Sequence, residues 1–513
     1  MALSRKEFLH LASCGAASVA ATSLAGPGTP LEAAGAEPGA ASPQKPATPS
    51  YPAGVTSAVV TFIQRARLEE FPAKVITEAK RCLIDGFGVV LGGATATGSA
   101  IVRRVIKSRG GQFEATVLGP EALRAPIALA ALANGASGHA MDWDDTQLST
   151  SPDRVYGLLT HPTVPALAAS LAVGERLDVS GAQFLEAFLT GFEVECKIAE
   201  AIKPDHYQRG FHSSGTIGTF AAAASTAKLL KLDAEKTAHA IGIAASMASG
   251  IRVNFGSMTK PLHVGRAAEN GVMAALLAAD GFTAAADALD GQWGFFQVLG
   301  GGADVEKIVP VLGNPHTIVD PGVSVKPYPC GVLGHPSMDA MLKLVTEHDI
   351  TPGEVKRITL RAGSNILNPL RYRTARTELE AKFCPPFMMA AIVLRRKAGI
   401  NEFSDEFVSS QPVQRMMTLV DPVFDPEIEA KGFDRIRSIV EVELQDGRRF
   451  VQPSDDRYRG GPERPFTRED LHGKFTENAE VFLAKGRIVR SLELIESVEK
   501  LKSVRELVAA MAA

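Results

Sequence analysis

The sequence predicts a mainly α-helical protein, with a large all-α domain followed by a smaller α+β domain. Three observations carry this expectation. From Thr56 to about Ala286, apolar residues recur at helical spacing almost throughout, in runs rich in Ala, Gly and Ser. After about Ala303 the period shortens to two in Val355-Lys-Arg-Ile-Thr-Leu-Arg361 and in Ile436-Arg-Ser-Ile-Val-Glu-Val-Glu-Leu444, as in strands with one buried face. Aromatic residues make up only 6% of the chain, which together with abundant alanine favours closely packed helices over a β-sandwich.

The chain opens with Ser4-Arg-Lys-Glu-Phe-Leu9, a weakly apolar stretch from Leu11 to Ala25, and the small residues Ala33-Ala-Gly-Ala36. A charged start, a short apolar run and a small-residue cleavage region describe an export signal over 1–36. It is similar to a twin-arginine signal with Lys6 in the second arginine's place, and a periplasmic location follows, with the cytoplasm as the alternative. Leu11-Ala-Ser-Cys14 looks like a lipoprotein box, but the apolar run before it is too short, so a cleaved leader is preferred to a lipid anchor. Residues 37–54 read as a disordered linker rich in Pro, Ala, Gly and Ser.

Within the helical domain, 55–303, helices are expected over 72–92, 126–138, 164–174, 181–202, 216–230, 234–250 and 267–279. Pro72 suits a helix start because a first-turn residue needs no amide donor. Within the α+β domain, 304–465, helices are expected over 337–348 and 385–399, and Asp446-Gly447 marks a hairpin with a returning strand over 448–451. From 466 to 513 the pattern is helical again.

The net charge of −3 offers no global basic field for nucleic acid, and no further segment has the length of apolar residues a membrane span needs. Five scattered cysteines fit neither a disulfide scaffold nor a zinc site. No Gly-x-Gly-x-x-Gly or P-loop argues for a nucleotide. Any anion-binding function must therefore be local.

Five segments concentrate the chemistry: His139-Ala-Met-Asp-Trp-Asp-Asp-Thr146, Thr160-His-Pro-Thr163, Gly210-Phe-His-Ser-Ser-Gly-Thr216, Gly250 to Arg266, and Lys326-Pro-Tyr-Pro-Cys-Gly-Val-Leu-Gly-His-Pro336. Three glycines and a proline make Gly250 to Arg266 read as a loop or broken turn, carrying Arg252, Lys260, His263 and Arg266. An enzyme that removes water or carbon dioxide from a polycarboxylate must hold its carboxylates with fixed cations and move protons with groups in hydrogen-bond reach. Lys260, His263 and Lys326 suit holding; His161 and His212 suit proton transfer, since imidazole titrates near neutrality. Asp142, Asp144 and Asp145 are open to a metal-binding reading, and Asp142 to simple helix capping.

At these five segments, in this order, the chain resembles the MmgE/PrpD family, which includes 2-methylcitrate dehydratase, cis-aconitate decarboxylase and some epimerases. The resemblance runs from about Thr56 to near the C-terminus. It implies two domains with the active site in a cleft between them, C-terminal helices (466–513) returning to the helical domain, and a homodimer. It also implies a site without metal or cofactor. Asp142, His161, His212, Lys260 and His335 are then catalytic, and Thr146, His263 and Lys326 bind substrate. His139 is expected in a supporting role and Arg266 in a helix-start ion pair, while Tyr328 is open equally to the site and to packing. The family's decarboxylases place a histidine five residues after the lysine at 326, where this chain has Gly331. The leading expectation is therefore a cofactor-independent dehydratase acting on a hydroxy di- or tricarboxylic acid such as a 2-methylcitrate-like substrate. An isomerase or epimerase ranks second and a decarboxylase third. An exported binding protein without activity is the reading from another class.

Overall fold

The computed structural model describes residues 54–147, 149 and 160–513. The expected export signal, and the linker up to residue 53, lie outside the described residues. Among the described residues, helices of ten residues or more are α1 Val55–Arg65, α2 Ala73–Gly93, α3 Thr97–Arg109, α4 Ile127–Ala140, α5 Thr163–Leu177, α6 Gly181–Ala201, α7 Gly218–Leu229, α8 Ala234–Met247 and α9 Thr259–Ala279. They continue with α10 His335–Glu347, α11 Pro385–Arg395, α12 Arg468–Ala479 and α13 Lys485–Glu496. The fold is mainly α. No single helix among the described residues is long and apolar enough to cross a membrane.

Helices α4 to α7 and α9 are apolar on most faces because alanine and glycine let neighbours close in on every side. One close crossing joins α4 and α9: a Cβ on Gly135 would lie 3.0 Å from the Gly265 Cα, and one on Gly265 would lie 2.5 Å from the Leu132 carbonyl. Backbone contact at this point brings the C-terminal end of α4 against the N-terminal end of α9. Helix α12 lies on α2, where Phe475 enters the same apolar cluster as Phe87. Lys474 Nζ of α12 sits 2.5 Å from the Asp85 carboxylate in the middle of α2, both of them buried.

The second core gathers α10, α11 and a four-stranded sheet. Its strands are β5 Val355–Ala362, β6 Val420–Phe424, β7 Ser438–Leu444 and β8 Arg449–Pro453, in the order β6-β5-β7-β8. The β7–β8 hairpin turns at Gly447 with φ +91°, and pairs Ile439 with Pro453 and Glu443 with Arg449. Strand β6 was not expected from the sequence. It runs parallel to β5 at the sheet edge and contains Pro422, a residue that only an edge strand tolerates. Two other short pairs precede it in the chain: β1 Ala115–Val117 with β2 Leu123–Ala125, and β3 Thr146–Gln147 with β4 Val323–Ser324.

Two further expectations change. The Gly250 to Arg266 stretch is a loop only as far as Met258, since α9 already begins at Thr259 and carries Lys260, His263 and Arg266. Pro261 occupies its first turn, where a missing amide costs nothing. Beyond α13 the chain forms only a 3₁₀ turn at Val498–Lys500 and a short helix at Arg505–Met511.

Because α9 meets α4 backbone to backbone, Gly265→Ala is expected to force the helices apart and destabilise the protein by about 1–3 kcal/mol or more. Thermal unfolding followed by circular dichroism measures the loss; an unchanged midpoint would contradict the crossing.

Candidate active site

The site is built on Asp142 to Asp145, which begin one residue beyond the end of α4. Asp142 leaves the helix in the left-handed region, φ +51°, a conformation that aspartate tolerates better than most residues. Each residue of the turn then has its own partner. Asp142 Oδ1 accepts from Lys260 Nζ at 3.1 Å and from Lys326 Nζ at 2.7 Å. The Trp143 carbonyl accepts from Lys474 at 2.7 Å. Asp144 lies 2.8 Å from His139 Nδ1, and Asp145 accepts from the Thr163 hydroxyl at 2.6 Å, fixing the start of α5.

Lys326 reaches Asp142 because β3 pairs with β4, Thr146 opposite Ser324, which sets the following Lys326 beside the turn. It also donates to the Asp142 carbonyl at 2.9 Å. Lys382, from the segment before α11, donates to the Ala140 carbonyl at 3.2 Å. Four buried lysines from four separate segments, Lys260, Lys326, Lys382 and Lys474, thus converge on the carbonyl end of α4, where the helix dipole favours cations.

The pocket beside this turn encloses about 500 Å³ including its mouth. One wall is polar, with Asp142, Thr146, His161, His212, Lys260 and Lys326 among its residues. The other is apolar: Phe255, Val332, Leu333, Pro369, Leu370 and Phe383. The structure therefore brings together six of the eight expected site residues.

His263 and His335 stand behind the walls. His263 sits one turn into α9, its Nδ1 3.0 Å from His212 Nδ1, and so backs His212. His335 is fully buried at the start of α10, with Nε2 3.1 Å from the Cys330 carbonyl and its ring edge-on to Tyr328 at 5.4 Å. It braces the loop that carries Gly331. Tyr328 is buried beneath Arg459 and does not line the pocket, so of its two readings the structure places it in packing. Arg266 pairs with Glu269 at 2.5 Å, but two turns inside α9 rather than at a helix start, because the helix already begins at Thr259. Arg252 is taken up by Tyr207, its guanidinium 3.7 Å above that ring.

Sequence reasoning missed Tyr207 and most of the apolar wall. Phe255, Val332 and Leu333 lie inside the five segments, but Pro369, Leu370 and Phe383 lie outside all of them.

The hydrogen bonds fix the protonation pattern. His161 Nδ1 lies 2.7 Å from the Asp145 carbonyl, which can only accept; the ring nitrogen therefore carries the proton and leaves Nε2 as a lone-pair base. Burial pushes the His161 pKa down to about 3, and Lys326 and His139 add to the effect against the pull of Asp144. Burial and Lys260 likewise hold His212 well below the usual imidazole value. Burial opposes ionisation of Asp142, but Lys260 and Lys326 outweigh it and keep the carboxyl well below its ordinary range. Burial lowers the Lys260 pKa, and Lys326 contributes, while Asp142 opposes both. His139 faces Asp144 through Nδ1 and Lys260 through Nε2 at 2.7 Å, and so orients the lysine.

Donor atoms of His139, Asp142, Asp144 and His161 lie within 4.8 Å of one another, a spacing that a metal ion could use. The chemistry of the set argues otherwise. Two ammonium groups already rest on Asp142 Oδ1 and one on His139 Nε2, so a dication would be placed against two like charges. The arrangement fits proton transfer beside an anion.

Fold and site together define a class, and the family models agree with it. The MmgE/PrpD N-terminal domain matches residues 57–308 and the MmgE/PrpD C-terminal domain matches residues 328–500; the chain belongs to the MmgE/PrpD family. Among its relatives is cis-aconitate decarboxylase of Homo sapiens, 28% identical over 459 residues, covering 87% of this chain and 92% of the relative. The cis-aconitate decarboxylase-like protein oryM of Aspergillus oryzae is 27% identical, covering 90% of this chain and 98% of its own length. Cis-aconitate decarboxylase of Aspergillus terreus is 24% identical over 88% of this chain and 95% of the relative.

Lys326→Met leaves the buried Asp142 carboxylate with one ammonium partner, and is expected to cost about 3–5 kcal/mol of stability at pH 7. Asp142 ionises below 3.8 in the folded protein, so its contribution is present above that pH and is lost as the pH falls through the folded value. In the variant this acid-side loss should shrink. Urea titrations at several pH values measure both effects.

Proposed function

We propose that the protein is a lyase acting on a small hydroxy polycarboxylic acid, removing a proton next to a carboxylate and expelling water without a metal or other cofactor. The observation that carries this reading is one pocket lined by a neutral His161, its Nδ1 taken up by the Asp145 carbonyl, together with two buried lysines held by one aspartate. The substrate carboxylate sits on Lys260 and Lys326, whose charge stabilises the enolate-like anion formed when His161 takes the adjacent carbon-bound proton. The carbon–oxygen bond then breaks, and the hydroxide leaves as water with a proton from Lys260, which burial makes easier to give up. His161 and Lys260 recover their resting states by exchange with solvent. Asp142 holds both lysines, and the His139–Asp144 pair aims Lys260.

A second reading is decarboxylation. The relatives named as cis-aconitate decarboxylases support it, since they match this chain over nearly their whole length. In that case a carbon–carbon bond breaks, carbon dioxide leaves, and the resulting carbanion takes its proton from Lys260. Gly331, where those decarboxylases are expected to carry a histidine, weighs toward dehydration.

Proton NMR in deuterated water, with a panel of hydroxy and unsaturated di- and tricarboxylic acids, tests the proposal. New vinyl signals without loss of carbon dioxide are expected, and a chelator should leave the rate unchanged. Vinyl signals with carbon dioxide release would establish the decarboxylase, and deuterium uptake without net product an epimerase. Binding without any reaction would leave only a binding protein. His161→Asn should lower kcat by roughly 10²–10⁴-fold while ligand affinity largely persists.

The pH profile follows from the same groups. Because His161 stays neutral down to about 3, kcat/KM is expected to lack an acid limb near the ordinary imidazole value of 6.5. Its alkaline limb should fall below the ordinary lysine value of 10.5, as Lys260 loses its proton.

A further inference from the structure

We infer that the pocket takes an acid with a single carboxylate on the lysine pair and an alkyl arm against the opposite wall, and that Leu370 determines this preference. The inference rests on the reading of the pocket as a carboxylic acid site and names the class of acid it selects.

The first support is a count of donors. An ammonium group has three N–H bonds. Lys260 uses one on His139 Nε2 and one on Asp142 Oδ1; Lys326 uses one on Asp142 Oδ1 and one on the Asp142 carbonyl. One N–H remains on each lysine, enough to meet the two oxygens of one carboxylate. Lys260 and Lys326 are the only full cations among the described residues lining the pocket. The Asp142 carboxylate, which also lines the pocket, lies beside them, 3.1 Å from Lys260. A second substrate carboxylate finds no further ammonium in the lining and has only uncharged donors such as Thr146, Ser213 and Ser214 to meet it, so a third gains nothing.

The second support is the opposite wall. Val332, Leu333 and Leu370 are each at most 2% exposed, so they are held rigidly and offer no hydrogen-bonding group from their side chains. Phe255 and Phe383 stack at 5.5 Å and close the wall beside Lys260, whose Nζ lies 5.2 and 5.5 Å from the two rings. Leu370 owes its place to Gly331. A Cβ on Gly331 would lie 2.7 Å from Leu370 Cδ2, so any larger residue there would push the leucine out of the wall. Glycine at 331 and leucine at 370 therefore form one apolar unit, where a polar side chain at 331 would otherwise receive a second polar group of the substrate.

Calorimetric titration of the purified full chain with non-reacting analogues tests the inference without requiring turnover. The probes are succinate, methyl-, ethyl- and propylsuccinate, and the tricarboxylate tricarballylate. Affinity is expected to rise about fourfold per added methylene until the wall is filled, as burial of a CH₂ allows. Tricarballylate should bind no tighter than succinate. Leu370→Ser, and separately the isosteric Val332→Thr in case the first variant fails to fold, should flatten the series while changing succinate affinity little. Tricarballylate binding tighter than the alkylsuccinates, a flat series in the wild type, or no binding of any probe would each overturn the inference. A parallel assay of turnover separates the two proposals. A flat series in a protein that eliminates water overturns only the apolar arm, whereas a rising series without turnover supports the arm and removes the lyase.

Discussion

One buried carboxylate organises this molecule. Asp142 Oδ1 lies between the ammonium groups of Lys260 and Lys326, all three residues at most 4% exposed. Three charges taken out of water are stable only when each finds the other and the remaining hydrogen-bonding positions are filled. That requirement fixes more than side chains. It demands the left-handed turn at Asp142, the start of α9 where it stands, and the β3–β4 pairing that delivers Lys326 from the second half of the chain. The glycine contact between α4 and α9 is the backbone side of the same arrangement, since a wider crossing would carry Lys260 away from both His139 and Asp142.

The two halves of the protein contribute differently to the pocket. The helical half supplies nearly all the groups that can hold or move a proton, on rigid helix ends and the tight turn between them. The α+β half supplies one lysine and, from Val332 to Phe383, the apolar surface facing it. A pocket divided in this way keeps the proton chemistry constant while the shape of the acid it accepts depends on residues that take no part in that chemistry.

Much of this was legible in the sequence. Helical periodicity located α2, α4, α6 and α8 to within three residues at each end, because alanine-rich helices buried on most faces leave few alternatives to helix. Alternation found β5, β7 and the hairpin for the complementary reason, one face being wet. His161, Lys260 and Lys326 stood out because each stands directly before a proline, whereas Asp142 and Thr146 were reached only through the family resemblance. What escaped has physical causes. Strand β6 is a short edge element carrying Asp421 and Pro422, so neither alternation nor composition marks it. The start of α9 was hidden by Pro261, which breaks a helix interior yet suits a first turn. His335 shares its motif with Lys326, but proximity along the chain does not turn a side chain toward a cavity. Leu370 and Phe383 are apolar residues between elements, indistinguishable in a sequence from those that merely fill the core.

Three of the four lysines that gather at the end of α4 share a property beyond their charge. Lys326, Lys382 and Lys474 each donate to a main-chain oxygen, at Asp142, Ala140 and Trp143. An oxygen of the main chain belongs to every amino acid, so no substitution at 140 or 143 removes the acceptor, whereas each lysine can be lost in one step. Robustness here is one-sided. Sequence drift on the receiving side of the junction is tolerated by the hydrogen bonds that close it, and the vulnerability of the whole assembly is concentrated in three donors, spread over roughly a third of the chain.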